Sequence, residues 1–405
     1  MLDEFRGHHV LLLQGPNGFF FRNVARHLRS QSASVTKVNF NPGDVLFYSG
    51  EDALTFRGTL EDWPRYFEQI VRERSIDVVM LFGDCRVYHR IAIERARQLG
   101  VPVYVFEEGY VRPDFVTLEL GGVNGHSRIP KDPAFYAGLA PTPLPKARPV
   151  GNTFRRAAWF SALYAVANTF FGWRYPNYRH HRDLNAFRQA FFWGRSGVRK
   201  AWHRIRDHRL DRLLRTGKMA PYYLVPLQVY LDSQIQHSQF ASVAEFIELV
   251  VSSFAEHAPK DTYLILKHHP FDRPYSDYSK LLRRLAQQWN LGNRLIYSDV
   301  IHLPSALKGA RGTVVINSTV GLSSIHHGTP LKCLGRAVYD FEGLTCQLPL
   351  DEFWTNPGRV DQSLYKKFRW WLQINNQLNG NVWSDLYPYD ESKLLPVRSV
   401  ADSFP

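Results

Sequence analysis

Six short apolar runs in this chain end abruptly in polar residues, and this pattern restricts the available folds more than any other feature. HVLLLQG (His9–Gly15) breaks at glycine, IDVVMLFGD (Ile76–Asp84) ends in Gly-Asp, and VPVYVF leads into EEGY. From about Ala220 the pattern resumes, with APYYLVP running into QVYLDSQ, TYLILK into KHHP, and GTVVIN into NSTVG. Amphipathic segments with helical spacing separate the runs. Phe20, Val24 and Leu28 share one face, as do Trp63, Phe67, Ile70 and Val71 behind Pro64, and SVAEFIELVVSSFAEHAP forms a longer helix. Apolar strands alternating with such helices imply parallel sheets covered on both faces. In open parallel sheets ligands bind beyond the carboxyl ends of the strands, and all six polar motifs fall there.

A chain of 405 residues is too long for one ordinary core and suits two α/β domains of roughly 150–200 residues each. The pattern divides it into a Rossmann-like domain over residues 1–150, a middle segment over 151–218, a second Rossmann-like domain over 219–340, and a helical and loop tail over 341–405. Three cysteines, Cys85, Cys333 and Cys346, lie far apart without metal-ligand spacing, which fits a reduced cytosolic compartment and argues against a disulfide scaffold. The amino terminus, with acids ahead of its short apolar run, is a poor signal peptide, and no run approaches the ~18 apolar residues of a spanning helix. The expected location is cytoplasmic, with surface attachment to a membrane left open.

The formal charge of +13 sits almost wholly in the middle segment. Gly151–Lys218 holds 15 Lys and Arg against three acids, a net of +12, so the remainder carries only +1. Aromatic clusters (FF, FFW) alternate with the arginines there. Arginine with aromatics binds single-stranded nucleic acid in some proteins, and in others it forms an interfacial surface on anionic lipid. A third reading is a helical insertion with aromatics packed inward and arginines solvated. Clustered aromatics suit membrane insertion better than regularly spaced base stacking, and no nucleic-acid signature is present. Arg155, Trp159, Trp173, Trp193 and Arg199 are therefore the expected membrane-facing residues, with an anionic membrane surface as partner and no nucleic acid.

Each strand-end motif carries chemistry beside a plainer structural role. QGPNG presents Gln14, Gly15 and Asn17 where a helix start favours anions, and a tight turn explains it equally well. EEGY sets Glu107 beside Glu108, with Arg112 and Asp114 following; one of two crowded acids can have a raised pKa suited to acid–base work, or both can be solvated loop acids. QVYLDSQ offers Gln228, Asp232 and Ser233, of which Asp232 fits a nucleophile or a helix cap. KHHP combines Lys267 and His269 before a rigid proline, a cation and an imidazole suited to a departing phosphate. Asn317, Ser318 and Thr319 form a further anion candidate. With no carboxylate or cysteine at ligand spacing near them, no metal site is expected.

Taken in order, EEGY, K-x-H-P and NST resemble bacterial glycosyltransferases that use CMP-activated acidic sugars. QGPNGFFFR, EEGYVRPDF, QVYLDSQI and KHHPFD are similar to the KpsS/KpsC family of capsular polysaccharide β-Kdo transferases, over roughly Leu11 to Gly335. The resemblance implies two Rossmann-like domains facing a cleft in a GT-B arrangement, with CMP-β-Kdo held by the C-terminal half. It implies retaining transfer of Kdo to a lysophosphatidylglycerol acceptor, beginning the poly-Kdo linker of a capsule on the cytoplasmic face of the inner membrane, with other capsule assembly and export proteins as candidate partners. Asp232 is then the nucleophile, Glu108 the base with Glu107 as alternate, and His269 a stabiliser of the leaving phosphate. Lys267, Asn317, Ser318, Thr319, Gln228 and Ser233 fall on the donor side, and Gln14, Gly15, Asn17, Glu107 and Arg112 on the acceptor side. No metal or other cofactor is implied. The rival readings are a transferase for another CMP-sugar such as CMP-sialic acid, and a non-catalytic membrane adaptor of capsule export.

Overall fold

The computed structural model describes residues 1–180, 185–229, 235 and 237–387. Asp232 and Ser233 lie outside the described residues.

The apolar runs form two separate sheets. In the first half, β1 (His9–Leu12), β2 (Ser34–Asn39), β3 (Ala53–Thr55), β4 (Val78–Phe82) and β5 (Val103–Glu108) are parallel, and β6 (Phe115–Leu120) turns back antiparallel onto β5. In the second half, β7 (Tyr222–Pro226), β8 (Tyr263–Lys267), β9 (Leu295–Ser298), β10 (Gly312–Val315) and β11 (Leu331–Cys333) are all parallel, in the order β11-β10-β7-β8-β9. A late strand, β12 (Gln377–Asn379), returns to the first sheet, whose order is β12-β6-β5-β4-β1-β2-β3.

Both faces of each sheet are covered, which is why the strands read as continuous apolar runs. Alternate residues of β1 go to opposite sides. Val10 and Leu12 pack with Phe20 and Val24, whereas Leu11 and Leu13 pack with Trp63 and Phe67. Tyr223 and Val225 likewise face one core of the second half, and Tyr222 and Leu224 the other.

The first sheet differs from the all-parallel expectation at one edge. Glu107 and Glu108 belong to β5 itself, opposite Thr117 and Val116 of β6, and are not in a loop beyond the strand. FVTLEL is rich in residues that fit a pleated surface, and the chain reverses into it through Gly109. A Cβ there would lie 2.1 Å from the Phe115 carbonyl oxygen, so only glycine permits this hairpin. The tail supplies the other antiparallel neighbour, β12. Its helix Gln362–Asn375 packs Leu364, Phe368 and Trp371 into a core shared with Tyr110 and Phe115 of the first half and Val315 and Leu331 of the second.

The basic segment forms two helices, Phe154–Phe171 and Ala186–Arg215. The first lies against the helix Pro42–Phe47 so closely that a Cβ on Gly43 would come within 2.4 Å of the Tyr164 ring. The second is fastened to the other half: Gln189 accepts from Tyr275, Arg199 donates to the Arg273 carbonyl and pairs with Asp277, and Asp207 accepts from Ser298 and from the Asp299 and Val300 amides.

Candidate active site

The EEGY motif ends β5 in the first half and the K-x-H-P motif follows β8 in the second, near enough for the Arg112 charge to act on His269. Glu108 closes β5 with its carboxylate 2.7 Å from the Arg112 guanidinium, whose Nε also donates to the Gly109 carbonyl. Glu107 turns back and accepts from the Glu108 amide at 3.0 Å, so it shapes the local backbone. Across the seam, His269 follows β8. Its Nδ1 accepts from the Phe271 amide at 3.2 Å, which leaves the proton of the neutral ring on Nε2. Burial, helped by the charges of Lys267 and Arg112 and by His268, holds the His269 pKa down to about 3. The ring is therefore a neutral hydrogen-bond donor at pH 7, and not the proton donor that a free histidine would offer a leaving phosphate.

Lys267 is buried, with its ammonium 3.3 Å from the His268 carbonyl. Burial lowers its pKa to about 8, against the opposing pull of Asp299. His268 is bonded through Nδ1 to the Tyr297 hydroxyl at 2.7 Å and makes a wall of the second core. Gln228 and Asn317 tie the ends of β7 and β10 together, with Gln228 Nε2 donating to Asn317 Oδ1 at 3.0 Å. Ser318 Oγ accepts from the Val320 amide, and its carbonyl accepts from the Tyr339 hydroxyl at 2.5 Å. Thr319 occupies the residue before the helix Val320–His326 and makes no side-chain cap bond.

The QGPNG stretch is held by side-chain bonds, several of them to the basic segment. Gln14 is buried and donates to Tyr178, Tyr164 and the Asp44 carboxylate, while its carbonyl oxygen accepts from Arg86. Asn17 reaches Ser161 at 3.5 Å, and a Cβ on Gly15 would press to 3.0 Å of Phe21. Through Tyr164 and Ser161 the loop touches the first basic helix. Arg199 is likewise turned away from solvent, because its pairing with Asp277 and its bonds to two carbonyls hold it on the second half. Arg155, Trp159, Trp173 and Trp193 are exposed, and Trp173 is the most exposed of the three tryptophans at 73%. An open pocket of about 420 Å³ lies between Arg22, Arg26, Arg156 and Trp383, and none of the predicted site residues lines it.

The family model for capsule polysaccharide biosynthesis proteins matches residues 77–383. The chain belongs to that family. It is 38% identical to the capsule polysaccharide export protein KpsS of Escherichia coli, over 92% of this chain and 96% of that protein. It is also 38% identical to the capsule polysaccharide modification protein LipB of Neisseria meningitidis serogroup A, over 97% of this chain and 94% of the relative. Among solved structures, a Thermosulfurimonas dismutans KpsC, a beta Kdo 2,7 transferase, is 15% identical at a TM-score of 0.38, covering 89% of this chain and 99% of that one. A likeness that loose places no residue.

This capsule family member also contains a buried ionic cluster behind the K-x-H-P strand. Arg273 binds Asp299 through both Nε and Nη2 at 2.7–3.0 Å, and His203 of the second basic helix reaches the same carboxylate. Burial alone would raise the Asp299 pKa, but the bonds from Arg273 and His203 outweigh it and hold the carboxyl below its ordinary value. The cluster fixes the loop after His269 to the basic insertion. Its partners are far apart in sequence; the one local signal is that His203 and Asp207 stand four apart on an otherwise cationic helix.

Proposed function

We propose that this family member is a retaining glycosyltransferase that moves Kdo from CMP-β-Kdo to a lysophosphatidylglycerol acceptor at the membrane surface, starting the poly-Kdo linker of a capsule. The observation that carries the reading is that the Glu108–Arg112 pair ends β5 of one half while His269 follows β8 of the other, near enough for the Arg112 charge to bear on the His269 ring. Family membership supports the capsule context.

Asp232 attacks the anomeric carbon as the bond to the CMP phosphate breaks and its electron pair leaves with the phosphate. The Nε2–H of His269 and the ammonium of Lys267 stabilise that departing charge, and Ser318 and Thr319 are assigned to the same donor side. Glu108 then removes the proton of the acceptor hydroxyl, whose oxygen displaces Asp232; two inversions give retention. Because protein cations meet the single phosphate of the donor, the transfer chemistry requires no metal.

The Lys267 charge gives a pH test. In the free protein it is lost as pH rises through about 8, so CMP affinity should fall above that value. Titrating CMP by calorimetry from pH 7 to 9 checks this; Lys267→Met should bind more weakly and show a flat profile.

Membrane docking rests on apolar side chains left outside. On the second basic helix, Phe187, Phe191, Val198, Trp202 and Ile205 form an exposed stripe, and Trp159, Val166 and Phe170 do so on the first. Arginines flank both, as an interfacial surface on anionic lipid requires. Among the described residues no helix is long and apolar enough to cross a membrane. Flotation with anionic liposomes should retain the protein at low salt and release it as salt rises. Replacing Trp159 and Trp202 with glutamate should weaken retention by about 10–100-fold, the effect of removing two buried aromatics. Equal binding to neutral and anionic vesicles would contradict the electrostatic part.

A further inference from the structure

Four metal-ligating side chains that the transfer chemistry does not use meet at the seam between the halves. Asp84 and Cys85 form the turn after β4, His126 follows β6, and His237 comes from the loop after β7 in the second half. Their donor atoms all lie within 4.8 Å of one another. Cys85 Sγ is 3.2 Å from His237 Nε2 and 3.3 Å from Asp84 Oδ1, and His237 Nε2 is 3.7 Å from that same oxygen. A tetrahedral ion bonded to sulfur at ~2.3 Å and to nitrogen and oxygen at ~2.0–2.2 Å spaces its ligands roughly 3.3–3.7 Å apart. Thiol, imidazole and carboxylate thus already outline one face of such a tetrahedron. His126 Nδ1 lies 3.1 Å from the other Asp84 oxygen, Oδ2, and within 4.8 Å of the remaining donors, so it completes the set of four.

The surroundings are shaped to this arrangement. Asp84 Oδ2 accepts from the Val123 amide at 3.0 Å, the kind of outer bond that orients a ligating carboxylate. A Cβ on Gly122 would fall 2.7 Å from His126 Cβ, and one on Gly125 would fall 2.6 Å from His237 Nδ1. The glycines of GGVNG therefore let this loop close over the cluster. His237 is fully buried, its Nδ1 has no hydrogen-bond partner among the described residues, and its Nε2 faces the thiol and the carboxylate. Hydrogen bonding to a thiol is weak return for burying an imidazole, whereas a bond from Nε2 to a metal ion is strong. The half-exposed His126 provides a way in.

We propose that Asp84, Cys85, His126 and His237 bind one divalent ion of the zinc type, which clasps the two α/β halves together. One thiolate, one carboxylate and two imidazoles suit a borderline-soft transition metal and not calcium or magnesium, which take oxygen ligands. On binding, Cys85 gives its proton to solvent as the sulfur–metal bond forms, and two negative ligands balance the dication in a buried seam. Three ligands belong to one half and one to the other, so ion binding is coupled to docking of the halves. The inference rests on these four side chains and not on the reading of the transfer chemistry, although Glu107 is near enough for its charge to bear on the Cys85 thiol.

The test uses the full chain stripped with a chelator and then supplied with zinc or cobalt. Atomic emission should find about one ion per chain, and the cobalt form should show a thiolate-to-metal charge-transfer band. Cys85→Ser and His126→Ala should each weaken binding at least about tenfold and abolish the rise in thermal midpoint that zinc produces; Cys346→Ser should change neither. If Cys85→Ser fails to fold, the half-exposed His126→Ala carries the comparison. Wild-type protein that takes up no zinc at micromolar concentration, or variants that bind as the wild type does, would mean that hydrogen bonds alone join the four groups, and would overturn the proposal.

Discussion

Replacing Glu108 with glutamine should lower kcat by about 10²–10⁴-fold, the range for loss of a general base, while CMP binding stays near wild type. The substitution keeps the shape and a hydrogen bond to Arg112 but removes the proton acceptor. Arg112 lies 2.7 Å from the carboxylate and orients it, and the side chain is partly exposed at the seam, where an acceptor hydroxyl can approach. Glu107 is different: one carboxylate oxygen is engaged by the adjacent amide, so Glu107→Gln should cost less and act through the backbone. Steady-state kinetics on both variants decides the assignment. A larger loss in kcat for Glu107→Gln would transfer the base to that residue.

The second large effect is on stability. Arg273→Met leaves the Asp299 carboxylate in the core with His203 as its remaining side-chain hydrogen-bond partner among the described residues, and stranding one partner of a buried pair costs about 3–5 kcal/mol. The thermal midpoint should drop by roughly 10 °C. Asp299→Asn added to Arg273→Met should recover part of that loss, because the stranded charge is then gone. The network also sets an acid limit. Since the folded Asp299 pKa lies below its ordinary value of 3.8, its contribution is present above that pH and is lost as pH falls below it toward the folded value. A midpoint unchanged in Arg273→Met would show that the pair adds nothing.

The parts of the fold legible in sequence were those that depend on local patterning. Most buried parallel strands announce themselves by an apolar run, as β1, β4, β5, β7, β8 and β10 do, whereas β2 does not, because Thr36, Lys37 and Asn39 are buried within it. The hairpin to β6 was obscured because Glu107 and Glu108 look like loop chemistry, although they are paired strand residues opposite Val116 and Thr117. β12 was invisible because its partner lies some 260 positions earlier, as the Gln377–Thr117 bond shows. Charge patterning located the basic insertion but did not say which side of each helix faces out. Arg199 and Trp202 are three apart, yet the first grips the second half and the second is exposed. The Asp84–His237 cluster was hidden for a related reason. Its ligands span the chain, and the glycines that bring them together read as turn residues until the close contacts at Gly122 and Gly125 are seen.

The account turns on whether this capsule family member transfers Kdo through the motifs that meet at the seam. Incubating the purified chain with CMP-Kdo, CMP-sialic acid and fluorescent lysophosphatidylglycerol, and weighing the product, tests that directly. The account predicts a lipid heavier by one Kdo, formed from CMP-Kdo alone and absent with Asp232→Ala. A sialylated product only, or full Kdo transfer by Asp232→Ala, would contradict it.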